Sequence, residues 1–231
     1  MRYEFTLPTP AALIHGSDAL YPVRRIYCVG RNYAAHAREM GFDPAREPPF
    51  FFCKPADAIV NVPAGTSADV DYPSKTSEYH HEIELVVAIG RAGRDIAVAD
   101  ALDHVFGYAV GLDMTRRDLQ LALRDKGRPW ELGKAFDHSA PIAPLHKVQE
   151  VGHVDRGALW VQVDGQDRQR TDLAKLIWSV PEIIANLSGY FELQPGDLIF
   201  TGTPEGVGPV LRGQTMTGGI DGLGTLTVKV R

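Results

Sequence analysis

Cysteine is almost absent from this chain, and its scarcity sets a first limit on the kind of protein. The 231 residues include 2 cysteines, Cys28 and Cys53, and these form no CxxC pair. Such a pattern offers no disulfide framework and is typical of a reducing compartment. We therefore expect both cysteines to be core residues of a cytoplasmic protein.

Long apolar runs and basic runs are also missing. No segment is apolar enough to cross a bilayer, and residues 1–13 lack the hydrophobic stretch of a signal peptide. The formal net charge of -5 argues against nucleic acid as the main partner. No basic run indicates attachment to a membrane surface. These absences predict a cytoplasmic protein without a membrane or a nucleic-acid partner.

The pattern of apolar residues predicts one β-rich domain. The chain is 44% hydrophobic and contains no repeat or low-complexity linker, which suits a single compact domain at this length. Strands are predicted at 24–30, 50–55, 79–90, 106–114, 158–170 as a hairpin, and 224–230, and residues 197–208 are predicted to be a strand that runs into a glycine-rich loop. Helices are predicted at 31–41, 98–105, 115–127 and 179–193. Because strands dominate and do not alternate with helices, we expect an α+β fold rather than a doubly wound sheet.

Two carboxylates mark the predicted strand "YHHEIELVVAIG" (79–90). Side chains alternate along a strand, so Glu82 and Glu84 point to one face and repel each other. A third acid, Asp113, ends the next apolar strand just before a predicted helix. Three carboxylates without nearby cysteine describe a site for Mg²⁺ or Mn²⁺. The alternative is a strand with one solvated, acidic face, and the sequence does not bring Asp113 to that strand.

Other candidate residues carry weaker signals. His36 and Glu39 are three residues apart on a predicted helix, so the carboxylate can orient the imidazole as a general base. A surface His–Glu pair has the same spacing. Lys134 lies among apolar residues that favour a partly buried, paired lysine. The glycine-rich segment 201–208 is not a P-loop, since no Gly-Lys-Ser/Thr follows, but Thr203 within it is a candidate ligand donor.

Six segments together resemble the fumarylacetoacetate hydrolase family, and its fumarylpyruvate hydrolase and acylpyruvase branch in particular. They occur in the family's order from about residue 24 to the end of the chain. The segments are "CVGRNYAAHAREMG", "FFCKPADAIV", "YHHEIELVVAIG", "GYAVGLDMTRRDLQ", "KGRPWELGKAFDHSAPIAP" and "GDLIFTGTPEGVGPV".

The resemblance implies a fold, an assembly and a set of site residues. The fold is a mixed β-sandwich roll with a few peripheral helices, formed by residues 1–231 as one catalytic domain. Residues 1–23 are then an N-terminal extension, residues 31–49 a lid region with a short helix, and the assembly a homodimer. The implied metal ligands for Mg²⁺ or Mn²⁺ are Glu82, Glu84 and Asp113. The implied catalytic residues are His36, Glu39 and Lys134, and the implied substrate contacts are Arg31, Lys54, Arg117, Gln120 and Thr203.

The resemblance also implies a reaction. A metal-dependent hydrolase would cleave the C–C bond of a 2,4-dioxo acid, with fumarylpyruvate as substrate and fumarate and pyruvate as products of gentisate-type aromatic catabolism. Four alternatives remain open within or beside the family: an acylpyruvase, an oxaloacetate decarboxylase, a ring-cleavage-product isomerase or hydratase, and a non-catalytic binding module.

Overall fold

The computed structural model describes residues 4–39 and 47–231. The described residues form mainly β-strands, as the sequence predicts. The strands are β1 (Ala11–Leu13), β2 (Leu20–Pro22), β3 (Arg25–Gly30), β4 (Phe50–Lys54), β5 (Ile59–Asn61), β6 (Ala68–Val70), β7 (Tyr79–His81), β8 (Ile83–Ile89), β9 (Val105–Leu112), β10 (Thr115–Arg116), β11 (Ala140–Ile142), β12 (His146–Lys147), β13 (Ala158–Val163), β14 (Gln166–Asp172), β15 (Asp197–Phe200), β16 (Gly208–Pro209), β17 (Thr215–Ile220) and β18 (Gly224–Val230).

Helices are few and short in the described parts of the chain. The α-helices are α1 (Ala34–Glu39), α2 (Arg117–Arg124), α3 (Glu131–Lys134), α4 (Val148–Val151) and α5 (Val180–Tyr190), and the 3₁₀ turns are Ala56–Ala58, Val98–His104 and Leu173–Lys175. None of these helices is long and apolar enough to cross a membrane. The last part of the predicted helix 31–41, like residues 40–46 of the predicted lid region, lies outside the described residues.

Two sheets form the body of the fold. The larger one has the order β4-β3-β15-β8-β9-β11-β5, with β12 beside β9, and the other has the order β14-β13-β17-β18-β6. Most neighbours are antiparallel, but β15 with β3, β11 with β5 and β18 with β6 are parallel. The five-stranded sheet packs against β8 and β9 of the larger one. This is the β-rich α+β architecture that the sequence predicts.

Strand β8 is buried on both faces, and its alternation separates two hydrophobic clusters. Ile83, Leu85 and Val87 pack into the cluster shared with the five-stranded sheet. Val86 and Ala88 point the other way, into a cluster that also contains residues of β1 to β3. Because side chains alternate along a strand, Glu84 shares the face of Val86 and Ala88.

The predicted strand 79–90 proves to be two strands in different sheets. The N–H of Ile83 donates to the side-chain oxygen of Gln169 at 3.1 Å, and β7 pairs with β10 and β16 instead of continuing β8. The predicted helix 115–127 is also wrong at its start. Thr115 pairs with His80 as part of a strand, so α2 begins at Arg117.

The N-terminal residues lie against the larger sheet. Strands β1 and β2 form a hairpin, and Ile14 bridges Leu145 in parallel. The hydroxyl of Tyr21 is buried and contacts the carbonyl oxygens of Ile89 at 2.7 Å and Asp197 at 3.0 Å. One prediction about cysteine is wrong: Cys28 is buried, but Cys53 on β4 is exposed.

Candidate active site

Three buried carboxylates converge where β8 begins and β9 ends. The antiparallel register pairs Glu84 with Gly111 and Ile83 with Leu112, and the N–H of Asp113 donates to the carbonyl oxygen of Glu82 at 2.9 Å. One carboxylate oxygen from each of the three acids lies within 4.8 Å of the others. The structure therefore brings Asp113 to the two glutamates, which the sequence could not do.

Buried, positively charged side chains contact this carboxylate cluster. Lys134 on α3 donates to Glu82 Oε2 and Asp113 Oδ2, each at 2.8 Å. The guanidinium of Arg117, at the start of α2, donates to Glu82 Oε1. Thr115 adds a hydroxyl hydrogen bond to the same oxygen at 3.2 Å. Glu82 is thus held on both of its oxygens by side chains from three later segments of the chain.

The two glutamates have opposite pKa shifts although they belong to the same carboxylate cluster. Burial raises the pKa of Glu82, but the charges of Lys134 and Arg117 outweigh it and hold that pKa well below its ordinary value. Burial raises the pKa of Glu84 as well, and the negative charges of Asp113 and Glu82 raise it further. Glu84 is therefore the carboxylate that lacks sufficient countercharge from the protein.

The oxygen atoms of the cluster fit a divalent cation. Lys54 Nζ lies 2.8 Å from Asp113 Oδ1 but outside hydrogen-bonding geometry, and this buried oxygen has no hydrogen-bond partner among the described residues. Glu84 accepts one hydrogen bond, from the N–H of Gly202 at 2.7 Å. A purely carboxylate donor set suits Mg²⁺ or Mn²⁺, whose charge would offset the repulsion at Glu84.

His36 and Glu39 form a pair on α1. His36 Nδ1 lies 3.3 Å from Glu39 Oε2, and both oxygens of Glu39 also accept from the N–H of Gly206 at 3.1 Å. His36 is buried, and this burial lowers its pKa below the ordinary 6.5 despite the opposing charge of Glu82 and the hydrogen bond to Glu39. His36 is therefore a neutral imidazole at neutral pH, as a general base must be.

Most of the predicted site residues line a single pocket. The pocket encloses about 480 Å³ of space, including its open mouth. Its walls include eight predicted residues: Arg31, His36, Glu82, Glu84, Arg117, Gln120, Lys134 and Thr203. The other three are not part of the wall: Glu39 lies behind His36, and Asp113 and Lys54 lie beneath Lys134, where Lys54 Nζ donates to the carbonyl oxygens of Met114 and Lys134.

Thr203 is held in place by a hydrogen-bond network that sequence reasoning missed. Its hydroxyl donates to the carbonyl oxygen of Ile83 and accepts from the side-chain N–H of Gln169, both at 2.8 Å. The oxygen of the same Gln169 side chain lies 2.9 Å from His81 Nδ1. Since the hydroxyl proton of Thr203 is already used, this residue can face a ligand only as an acceptor.

Sequence reasoning also missed an aromatic wall of the pocket. Phe50 and Phe52 on β4 face Trp130, with ring centroids 5.5 Å and 5.8 Å from the indole. Arg124 lines the same pocket and follows Arg117 and Gln120 on α2 at helical spacing. That spacing is a signal by which the sequence could have identified Arg124.

A second group of potential metal ligands contains His15, His146 and Glu150. The two imidazole rings stack with centroids 4.2 Å apart and an interplanar angle of 20°. Ring nitrogens donate in the plane of the ring, so the lone pairs of stacked rings run side by side and do not converge on one ion. The carboxylate cluster is the better candidate for a metal site.

Comparison with known proteins agrees with this geometry. The family model described as fumarylacetoacetate (FAA) hydrolase C-terminal matches residues 25–231. A crystal structure of fumarylpyruvate hydrolase from Pseudomonas aeruginosa in complex with Mn²⁺ and pyruvate is 64% identical, covers 99% of each chain and has a TM-score of 0.98.

Two curated relatives differ in activity. A fumarylpyruvate hydrolase from Ralstonia sp is 46% identical over 188 residues, which are 81% of this chain and 95% of the relative. A mitochondrial oxaloacetate decarboxylase from Dictyostelium discoideum is 43% identical over 205 residues, which are 87% of this chain and 91% of the relative. With a family model that matches nearly the whole chain and relatives at this identity, the chain belongs to the fumarylacetoacetate hydrolase family.

Proposed function

We propose that this protein hydrolyses the C–C bond of fumarylpyruvate, a 2,4-dioxo acid, to fumarate and pyruvate. One observation carries the proposal: Glu82 and Glu84 of the buried carboxylate cluster line the same pocket as the neutral His36. The carboxylates supply oxygen ligands for a cation, and His36 supplies a base that can deprotonate water. Hydrolysis needs both. The relatives named fumarylpyruvate hydrolase support the choice of substrate.

The proposal assigns Glu82, Glu84 and Asp113 as ligands of Mg²⁺ or Mn²⁺. Asp113 Oδ1, which lacks a hydrogen-bond partner among the described residues, and the raised pKa of Glu84 support the assignment, as does the Mn²⁺ complex of the Pseudomonas aeruginosa relative. When bound there, the cation supplies a Lewis acid that offsets the negative charge developing on the oxygens of a dioxo acid. Lys134 and Arg117 hold Glu82 in position and add positive charge toward an anionic substrate.

The remaining residues prepare water and substrate. His36 takes a proton from the water that attacks the carbonyl carbon at C4, and Glu39 orients the imidazole and stabilises its protonated form. The C3–C4 bond then breaks, its electron pair leaves with the pyruvate fragment, and the proton held by His36 is returned to C3. Because Glu39 also accepts from Gly206, the same carboxylate fixes α1, the proposed lid helix, over the glycine-rich loop. Gln120, which accepts from Arg117, and Thr203 present polar atoms to the substrate, and Lys54 supports Lys134 from below.

We further propose that residues 1–231 act as one catalytic domain in a cytoplasmic homodimer that serves gentisate-type aromatic catabolism. The negative net charge supports a protein without a nucleic-acid partner. Size-exclusion chromatography with light scattering tests the dimer.

A product assay tests the reaction. Purified protein with added Mg²⁺ or Mn²⁺ receives fumarylpyruvate, acetylpyruvate or oxaloacetate, and fumarate, acetate, pyruvate and CO₂ are quantified. We expect metal-dependent release of equal amounts of fumarate and pyruvate. Hydrolysis of acetylpyruvate in preference to fumarylpyruvate would make the protein an acylpyruvase.

Oxaloacetate decarboxylation is the second candidate, favoured by the relative from Dictyostelium discoideum. It also generates a pyruvate enolate at the metal site but needs no attacking water. Release of pyruvate and CO₂ from oxaloacetate, with both dioxo acids left intact, would establish this activity and would remove the water-activating role of His36. The variant His36→Ala separates the two reactions, since only hydrolysis requires the base.

A further inference from the structure

A second group of cations lines the pocket, in addition to the two that contact the carboxylate cluster. Arg31 and Arg124 line it together with Lys134 and Arg117, but they are only partly buried, whereas Lys134 and Arg117 are almost completely enclosed. Burial lowers the pKa of Arg31, and the positive charge of Arg124 lowers it further, so the two guanidinium groups lie within electrostatic reach of each other.

Contacts between side chains order the pocket from its buried to its solvent end. Lys134 Nζ lies 5.1 Å from the ring centroid of Phe52, and Phe52 packs against Trp130 at 5.8 Å. Trp130 packs against Phe50 at 5.5 Å, and Arg31 Cζ lies 5.2 Å from the Phe50 centroid. An aromatic wall therefore connects the buried Lys134 to Arg31. Such a wall suits a flat, unsaturated chain between two anionic ends.

Arg124 already contacts one carboxylate, and that contact is weak. Its Nε and Nη2 donate to the same oxygen of its neighbour Asp125, at 3.0 Å and 2.9 Å. The Asp125 side chain is 65% exposed, and exposed ion pairs of this kind contribute little free energy. The negative charge of Glu47 acts on Arg31 and raises the pKa of its guanidinium group. With two guanidinium groups present, the outer end of the pocket is suited to bind a further carboxylate.

We infer that Arg124, with Arg31, binds a carboxylate at the far end of the acyl group and thereby determines which dioxo acids the enzyme selects. Arg124 is then a specificity-determining residue for substrates whose acyl chain ends in a carboxylate, over substrates with a neutral acyl end. The inference rests on the proposed function, because it assumes that the dioxo-acid end of the substrate occupies the buried end of the pocket.

The test compares two substrates that differ at the far end. Fumarylpyruvate ends in a carboxylate and acetylpyruvate in a methyl group, and the selectivity is the ratio of their kcat/KM values. We expect Arg124→Gln to lower this ratio by about tenfold or more, the effect of one charge-assisted hydrogen bond. Arg124→Lys, which keeps the charge but loses the fork of donors, gives an intermediate ratio. The inhibition constant of fumarate rises in parallel, while that of pyruvate changes less.

Arg128→Gln is the matched control, since Arg128 is exposed, lies outside the pocket wall and carries the same charge. A ratio within twofold of wild type for Arg124→Gln, or an equal fall for Arg128→Gln, would overturn the inference while leaving the hydrolase assignment intact. Failure of the wild-type protein to cleave either dioxo acid would instead overturn the proposed function and this inference with it. The Mn²⁺-induced rise in Tm, measured for each variant, verifies that the fold and the metal site are preserved.

Discussion

The backbone N–H of Asp113 donates to the carbonyl oxygen of Glu82 at 2.9 Å, and this hydrogen bond closes the ladder between β8 and β9 at the proposed metal site. The carboxylates therefore lie at the ends of two central strands: Glu84 is in β8, Glu82 directly precedes β8, and Asp113 directly follows β9. Their repulsion is built into the sheet register, and it cannot be relieved by moving one side chain away. A bound cation relieves it, which makes metal binding and stability interdependent.

Replacement of Glu84 by glutamine tests this relation. The glutamine side chain keeps an oxygen for the N–H of Gly202 but removes one of three like charges, so the metal-free variant has a Tm equal to or above that of wild type. The rise in Tm on addition of Mn²⁺ falls sharply, because a ligand is lost. Differential scanning fluorimetry with and without Mn²⁺ measures both effects.

The exposed Glu192 provides the matched control for that charge change. Glu192→Gln leaves the Mn²⁺-induced shift as in wild type. A full shift in Glu84→Gln, or a large loss of metal-free stability in that variant, would contradict the assignment of Glu84 as an uncompensated metal ligand.

The pH dependence of hydrolysis follows from the environment of His36. Burial lowers the pKa of His36 below 6.5, so kcat/KM rises with pH as the imidazole loses its proton, with a midpoint below pH 6.5 and a plateau above it. Glu39→Gln removes a group that raises this pKa, so the midpoint moves to lower pH and the plateau falls. Initial rates between about pH 5 and pH 8 at saturating Mn²⁺ measure both quantities.

Metal affinity must be followed over the same pH range, since protonation of the carboxylates would also reduce the rate. His36→Ala is the reference variant: it loses hydrolysis and retains Mn²⁺ binding. A midpoint that is unchanged in Glu39→Gln, or a loss of Mn²⁺ binding in His36→Ala, argues against a general base oriented by Glu39.

Sequence patterns predicted the local features of this site. They failed for the features that depend on contacts between segments far apart in the chain. Alternation alone predicted that the carboxylates of Glu82 and Glu84 lie together, and they do, although Glu82 directly precedes β8 instead of belonging to it. No local pattern gives the register that brings in Asp113, because that register depends on the pairing of β8 with β9. No local pattern predicts the break between β7 and β8 at Glu82 either. The N–H of Ile83 donates to the side chain of Gln169, which lies 86 residues later in the chain.

The predicted helix start at Thr115 failed for a similar reason. Its hydroxyl donates to Glu82 and its backbone pairs with His80, so tertiary contacts hold the residue outside the helix. The aromatic wall of the pocket was missed because Phe50 and Trp130 are ordinary apolar residues until the fold places them opposite each other.

Gly202 links backbone geometry to the metal site. Its φ is +97°, and an added Cβ would lie 2.8 Å from Cβ of Asn32, so alanine strains the loop that donates to Glu84. We expect Gly202→Ala to lose about 1–3 kcal/mol of unfolding free energy and to weaken Mn²⁺ affinity. Urea unfolding and Mn²⁺ titration by calorimetry measure the two effects.

Gly213 gives a matched comparison for that variant. Its φ is +86°, and nothing lies within 4 Å of an added Cβ, so Gly213→Ala adds backbone strain without a clash. We expect Gly213→Ala to lower the free energy of unfolding less than Gly202→Ala does, and to leave Mn²⁺ affinity unchanged. Equal Mn²⁺ affinities in the two alanine variants would show that the Gly202 loop does not hold Glu84 for the metal.

Removal of the Tyr21 hydroxyl tests how strongly the N-terminal residues stabilise the fold. This hydroxyl contacts the carbonyl oxygens of Ile89 and Asp197 and accepts from the N–H of Gly196 at 3.0 Å, so Tyr21→Phe leaves buried polar groups with fewer partners. The expected cost is about 1–3 kcal/mol in urea unfolding. Mn²⁺ affinity stays unchanged, since Tyr21 is not part of the pocket wall.

Tyr190 is 70% exposed, so Tyr190→Phe is the control and leaves the free energy of unfolding unchanged. If Tyr21→Phe were as stable as this control, the N-terminal hairpin would add little to the stability of the larger sheet, and its buried hydroxyl would be dispensable. The predicted loss of stability without loss of metal binding instead separates the structural role of residues 11–22 from the chemistry at the ends of β8 and β9.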